Sequence, residues 1–244
     1  MRTVEVASAM ALTEMLESLK TGDVLLYRTN DLGALFNSWM QRSKWSHVGV
    51  VVRGDAGLTK ALFPQDYAQP CADEDAALCV FEAVPSRGVC LFPLKDRLSR
   101  TYKSIKILGV VRHIGPELTS EQQSSLLEFV RLVKGRKLET TSRDMVNALL
   151  CGLRKGRHED WSQFFCSELA AEALQQMGIL RDEGLNSNDI LPRSFAQSDG
   201  PLSTHCNEAH AFDPPEILLD STQLPLFREL QEHKAELKRR SSKT

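Results

Sequence analysis

Trp45-Ser46-His47-Val48-Gly49-Val50-Val51-Val52 is the stretch whose reading decides the fold. Its β-branched valines fall on both alternating sides of the run, which predicts a strand buried on both faces. His47 enters at the start of that strand. Two-residue alternation puts Gly49 on the same side, where the missing side chain leaves room beside the imidazole for a substrate or an approaching helix. A histidine held this way is one half of a thiol catalyst.

The other half lies far along the chain in Phe164-Phe165-Cys166-Ser167-Glu168-Leu169. If Cys166 opens a helix, Ala170, Ala173 and Met177 share its face, and Gly178 is available to stop the helix. The thiol then points toward the sheet. Unpaired backbone N–H groups at a helix start favour thiolate and can donate to an acyl oxyanion. A third group is needed to orient the imidazole, and Glu82 interrupts the apolar run from Leu78 to Val84, where a buried carboxylate requires a partner. Each of the three has a structural explanation when taken singly: an inert core thiol, a strand-end histidine, a strand-edge acid.

Outward from these segments, apolar positions between residues 8 and 19 predict an amphipathic first helix ending near Thr21-Gly22, and Asp23 to Tyr27 reads as a buried strand. Leu32 to Met40 reads as a short helix or apolar loop, explained either by core packing or by the wall of a hydrophobic channel. Residues 53–77 read as an exposed loop. Leu78 to Val84, Val89 to Leu94 and Ile105 to His113 suggest an antiparallel meander. From Thr119 the pattern turns helical, with caps at Thr119 to Gln123 and further helices expected over Ser142–Leu153, Cys166–Met177 and Leu226–Lys238. Pro201 to Pro215 looks irregular.

The 244 residues carry a formal net charge of −2, with 42% hydrophobic and 25% charged residues, near globular averages. That balance offers no general attraction for nucleic acid or acidic lipid. No run approaches the roughly 18 apolar residues of a membrane span, and no export signal opens the sequence, so a cytoplasmic protein with its six cysteines mostly reduced is expected. His205, Cys206 and His210 have metal-ligand chemistry but poor spacing, and the other histidines besides His47 lie in polar or irregular surroundings. No metal or cofactor is expected.

Several segments, in order, resemble the circularly permuted branch of the papain-like NlpC-type superfamily, especially its YiiX/YebB-like and poxviral members. They are Gly22 to Tyr27, Trp45 to Val51, Phe81-Glu82-Ala83 with Gly88-Val89, Phe165 to Gly178, and Asn188 to Pro192. The resemblance implies Cys166 as nucleophile, His47 as base and Glu82 as orienting group, with the histidine preceding the cysteine. By the same analogy Tyr27 approaches the site, although a half-buried strand aromatic explains it as well. Ser46 and Ser167 are candidate substrate contacts.

The expectation is an α+β, permuted papain-like fold: a small antiparallel sheet packed against a nucleophile-bearing helix. A helical extension over 1–21, a catalytic domain over 22–200 and a C-terminal irregular segment and helix over 201–244 are expected. The expected reaction is cleavage of an amide, peptide or isopeptide bond through a thioester. Alternatives are a lipid acyltransferase or phospholipase, as in the related lecithin:retinol acyltransferase group, and a silent binding module. The implied partner is a peptide-like or acyl-lipid substrate, with peripheral lipid contact but no span and no nucleic acid. Loop 53–77 and the basic region 136–160 match no motif of the family and are candidate substrate-choosing regions.

Overall fold

A computed structural model describes residues 12–29, 44–54, 78–84, 87–135, 137–138, 163–164, 166–185 and 190–220, together with Ala235 and Arg239. The expected elements at Leu32–Met40 and Ser142–Leu153 lie outside these residues, as do Asn188, Asp189, most of 53–77 and 136–160, and Leu226–Lys238 apart from Ala235.

The elements of the first half are α1 (Leu12–Ser18), β1 (Val24–Thr29), β2 (His47–Arg53), β3 (Leu78–Val84), β4 (Gly88–Pro93), α2 (Leu94–Thr101) and β5 (Ile105–Val111). Then come β6 (His113–Ile114), α3 (Ser120–Val133), β7 (Lys137–Leu138), β8 (Gln163–Phe164), α4 (Cys166–Gln176), β9 (Ala211–Phe212) and β10 (Glu216–Asp220). The fold is mixed α+β. Six strands form one sheet in the order β10-β5-β1-β2-β3-β4, with every neighbouring pair antiparallel.

Both faces of the sheet are covered, which is why β1, β2 and β3 read as nearly continuous apolar runs rather than as alternating ones. Val48, Val50, Phe81 and Ala83 join one core with Phe129 and Val130 of α3 and Leu169, Ala170 and Ala173 of α4. Leu25, Tyr27, Val51 and Val80 join a second core with Leu94 and Leu98 of α2 and with Leu16 and Leu19. The expected caps of α3 are present. Thr119 Oγ1 accepts from the Gln122 backbone N–H at 3.2 Å, and Gln122 Oε1 accepts from the Thr119 backbone N–H at 2.9 Å. Gly178, at φ 66°, ends α4 in a left-handed conformation in which Ile179 N–H donates back to Leu174 O at 2.9 Å.

Three expectations are corrected. The meander stops at the β3–β4 hairpin, because α2 carries the chain away and β5 pairs with β1 instead of β4. The run Ile105 to His113 is two strands, with β6 leaving the main sheet to pair with β9. Pro201 to Pro215, expected to be irregular, holds a helical turn at Pro201–Thr204 and the strand β9, and β10 just beyond it becomes an edge of the main sheet beside β5. Leu16 and Leu19 before residue 22 and Leu218 after residue 200 are all buried.

His113, grouped by sequence with histidines in polar or irregular surroundings, is instead only 2% exposed. Its Nε2 lies 2.9 Å from His210 Nδ1, and its backbone N–H donates to the buried Asp23 at 2.8 Å. Burial pushes the His113 imidazole down to about 4, with the His210 and Lys20 charges acting in the same direction against a hydrogen bond to the Thr21 backbone. A histidine whose folded value lies below its unfolded one adds stability that is complete above the unfolded value and is lost as pH falls. Thermal melts should therefore show the melting temperature declining between about pH 6.5 and pH 4. His113→Gln, which has no such titration, should flatten that part of the profile.

Candidate active site

His47, the first residue of β2, is the cross-strand partner of Tyr27 on β1. Alternation along β2 places it on the side of Gly49 and Val51, the face that α2 covers. Val80 of β3 lies on that side, and Glu82 two residues on shares it. His47 Nε2 and Glu82 Oε2 lie 2.6 Å apart. A Cβ added at Gly49 would come within 2.7 Å of Val80 Cγ2 and 3.3 Å of Glu82 Cβ. The room expected beside the imidazole is thus filled by β3 and gives no space to a substrate; Gly49 permits the close approach that sets Glu82 against His47.

With His47 Nε2 turned to Glu82, Nδ1 is the ring nitrogen left for Cys166, whose sulfur is the largest influence favouring charge on the ring. Cys166 heads α4, whose body packs against β2 and β3, and it is partly exposed. The buried face of α4 includes Ala170, Ala173 and, just past its end, Met177, the positions read from its period. Small side chains at 170 and 173 let the helix lie close to the sheet. The three residues singled out from three distant segments therefore meet as a chain, Cys166 to His47 to Glu82.

The electrostatics follow from that geometry. Burial works against charge on the His47 ring, but the Cys166 sulfur and the Glu82 carboxylate outweigh it and hold the imidazole up at about 10. Burial alone would also raise the Glu82 carboxyl. The Arg97 guanidinium, joined by His47, overcomes it and holds Glu82 at about 2. Elsewhere burial pushes the Cys79 thiol up to about 12, burial with the Glu82 charge pushes Cys90 up to about 11, and burial raises Cys206 as well.

Tyr27 adjoins this chain. Its ring centroid lies 5.4 Å from that of His47, and it is 1% exposed rather than half-buried. Among the described residues its hydroxyl has no hydrogen-bond partner. Burial, aided by the nearby Glu82 charge, raises its hydroxyl well above the ordinary phenol value. The candidate substrate contacts at Ser46 and Ser167 have other work. Ser46 Oγ donates to Tyr27 O at 3.2 Å and accepts from Thr29 N–H at 3.1 Å, which anchors the start of β2 to β1. Ser167 Oγ donates to Ile190 O at 2.6 Å and is buried, tying the head of α4 to the following segment.

Arg97 is the site residue that sequence reading missed. Its Nε donates to Glu82 Oε1, and its Nη2 lies 3.4 Å from Glu82 Oε2. Its position among Lys95, Asp96 and Arg100 reads as an ordinary solvated helix face, and the one hint was the need of a buried Glu82 for a second partner. The metal-like trio separates: His205 Nδ1 lies 2.8 Å from Thr204 Oγ1, Cys206 bridges to Leu180, and His210 faces His113. Among the described residues no cluster of three His, Cys, Asp or Glu side chains is arranged to hold a metal ion, and no helix is long and apolar enough to cross a membrane.

No family model matches the chain, and no curated protein matches it. Among solved structures the chain is similar to the crystal structure of the metalloprotein YiiX from Escherichia coli O157:H7, DUF1105, at 16% sequence identity and a TM-score of 0.42. The similarity covers 82% of this chain and 97% of that one. At that level it assigns no chemistry to the residues described above.

Proposed function

We propose that the chain is a cysteine-dependent acyl hydrolase of the permuted papain-like, NlpC-type kind, cleaving an amide, peptide or isopeptide bond. The observation that carries this reading is the 2.6 Å contact of His47 Nε2 with the fully buried Glu82, on an imidazole that the Cys166 sulfur at a helix head also acts upon. Nucleophile, base and orienter in one hydrogen-bonded chain is the arrangement thiol catalysis requires. The order His47, Glu82, Cys166 along the chain fits the permuted branch.

In the reaction Cys166 Sγ attacks the carbonyl carbon, forming a C–S bond while the carbonyl π electrons move to oxygen. Backbone N–H groups at the start of α4 stabilise that oxyanion. The imidazolium of His47 gives its proton to the leaving amine as the C–N bond breaks, and a thioester remains. Water then attacks the thioester, His47 takes its proton, and the C–S bond breaks to release the acid and restore the thiolate–imidazolium pair. Glu82 stays ionised throughout, keeping Nδ1 directed at the sulfur.

The test is a substrate panel on the purified full chain: acyl-peptide and isopeptide amides in one arm, phosphatidylcholine vesicles in the other, with mass spectrometry of the peptide that contains Cys166. Amide cleavage with an acyl adduct on Cys166 is the expected result. Lipid turnover without amide cleavage would transfer the same thioester chemistry to an acyltransferase or phospholipase. No turnover, with an electrophilic acyl probe labelling Cys166 no faster than Cys206, would leave a binding module.

A further inference from the structure

Glu82 is wholly buried, and a lone carboxylate in such a place would be driven to its neutral form. Neutral, it would be a weaker and differently directed partner for His47. The group that prevents this comes from a different element. Arg97 lies on α2, immediately after β4, and meets both oxygens of Glu82, one through Nε and the other through Nη2 at 3.4 Å. The two contacts fix the plane of the carboxylate as well as its charge. Oε2, the oxygen shared with Nη2, is the one that lies 2.6 Å from His47 Nε2.

The guanidinium is itself held. Leu94 and Leu98, on either side of Arg97 in α2, are fully buried in the second core, so the helix register is set by packing. Arg97 Cζ lies 5.8 Å from the centroid of the Phe92 ring, and the Arg97 carbonyl accepts from Thr101 Oγ1 at 2.7 Å. A planar, permanently charged fork suits this task better than an ammonium group, which makes point contacts.

We propose that Arg97 is a positioning residue for the Cys166–His47 pair, acting through Glu82, whose orientation it fixes from α2. This rests on the hydrolase reading for its purpose but not for its test. Other titratable groups face the carboxylate as well: His47 from β2, Tyr27 from β1 and Cys90 from β4, opposite Glu82 in the hairpin, with Arg87 and Lys134 acting on Cys90. Among these, only Arg97 and His47 hydrogen-bond Glu82 and hold it ionised.

The experiment uses the full chain and needs no substrate. The rate of iodoacetamide alkylation at Cys166, resolved by mass spectrometry, is followed against pH for the wild type, Arg97→Gln, Arg97→Lys, Glu82→Gln and the double variant. Arg97→Gln should slow alkylation near neutral pH by about 10- to 100-fold, by analogy with the loss of outer-shell partners at metal sites. It should also move the acid limb of the profile upward by at least about one pH unit, because Arg97 is the largest influence holding Glu82 ionised. Arg97→Lys should keep the acid limb nearly in place while slowing the rate roughly threefold or more, since charge survives and the fork does not. In the Glu82→Gln background, adding Arg97→Gln should change the rate less than about twofold.

An Arg97→Gln protein that melts cooperatively and shows the wild-type rate and acid limb would overturn the proposal. If that variant does not fold, wild-type behaviour of Arg97→Lys would overturn it equally. Alkylation that depends on Arg97 in a protein that turns over no acyl substrate would remove the hydrolase reading and leave the positioning role standing.

Discussion

Replacing Cys166 with alanine will lower turnover of any acyl substrate by about 10⁴-fold or more while shifting the melting temperature by only a few degrees. The size of the loss follows from the proposed role: without the sulfur no thioester forms, and what remains is binding and oxyanion stabilisation alone. The small effect on stability follows from place, since Cys166 is partly exposed at the head of α4 while the core contacts of that helix are made by Leu169, Ala170, Ala173 and Leu174. A second readout is independent of turnover. The Cys166 sulfur is the strongest of the influences raising His47, so the imidazole, followed by NMR, should titrate in the Cys166→Ala protein clearly below about 10. A group whose folded value is raised adds stability that is complete below its unfolded value and is lost as pH rises through the folded one. The wild type should therefore lose more stability than Cys166→Ala between about pH 6.5 and pH 10. Turnover within tenfold of the wild type in Cys166→Ala would remove this residue as the nucleophile.

Such a site was readable in the chain because its members break local patterns. A histidine opening a valine run, a glutamate inside an apolar strand and a cysteine opening a helix with small residues at 170 and 173 are each odd where they stand, and burial makes such oddities costly. The strands carrying them were equally plain, because cover on both faces leaves a continuous apolar signature at Val48–Val52 and Leu78–Val84. Arg97 breaks no pattern. In Leu94–Thr101 it is one of three basic residues on a short helix, and only the approach of α2 to β3 and β4 distinguishes it from Lys95 and Arg100.

Strand order was hidden for a related reason. Periodicity reports which faces of an element are buried and says nothing of which neighbour buries them. The pairing of β5 with β1, and of β10 with β5, depends on α2 redirecting the chain after the β3–β4 hairpin. The polar run around His113 misled in the opposite direction. Arg112 and His113 are polar residues drawn inward by Asp23, whose two carboxylate oxygens accept from the Lys20 and His113 backbone N–H groups at 2.9 and 2.8 Å. A buried polar network of this kind has the composition of a loop and the burial of a core.

Glu82 is where the proposed catalysis and folding meet, and its substitutions should separate them. Glu82→Gln keeps nearly the same volume but removes the charge that Arg97 and His47 face, so turnover and Cys166 alkylation should fall by about 10²- to 10⁴-fold, by analogy with the loss of the orienting carboxylate in triads. Glu82→Ala adds a cavity and removes the carboxylate that the Arg97 guanidinium, 17% exposed, meets. Breaking a buried pair from one side costs about 3–5 kcal/mol, so urea unfolding of Glu82→Ala should show a loss of that order and Glu82→Gln a smaller one. The pH dependence fixes the cause. Glu82 is held at about 2, below its unfolded value near 4.5, so its contribution is complete above pH 4.5 and is lost as pH falls toward 2. The stability gap between wild type and Glu82→Gln should therefore be widest between about pH 4.5 and 6.5, close on acidification, and narrow again as His47 loses its proton toward about pH 10. A gap independent of pH would mean that the side chain matters for its shape alone, and the charge relay from Arg97 through Glu82 to His47 would have to be abandoned.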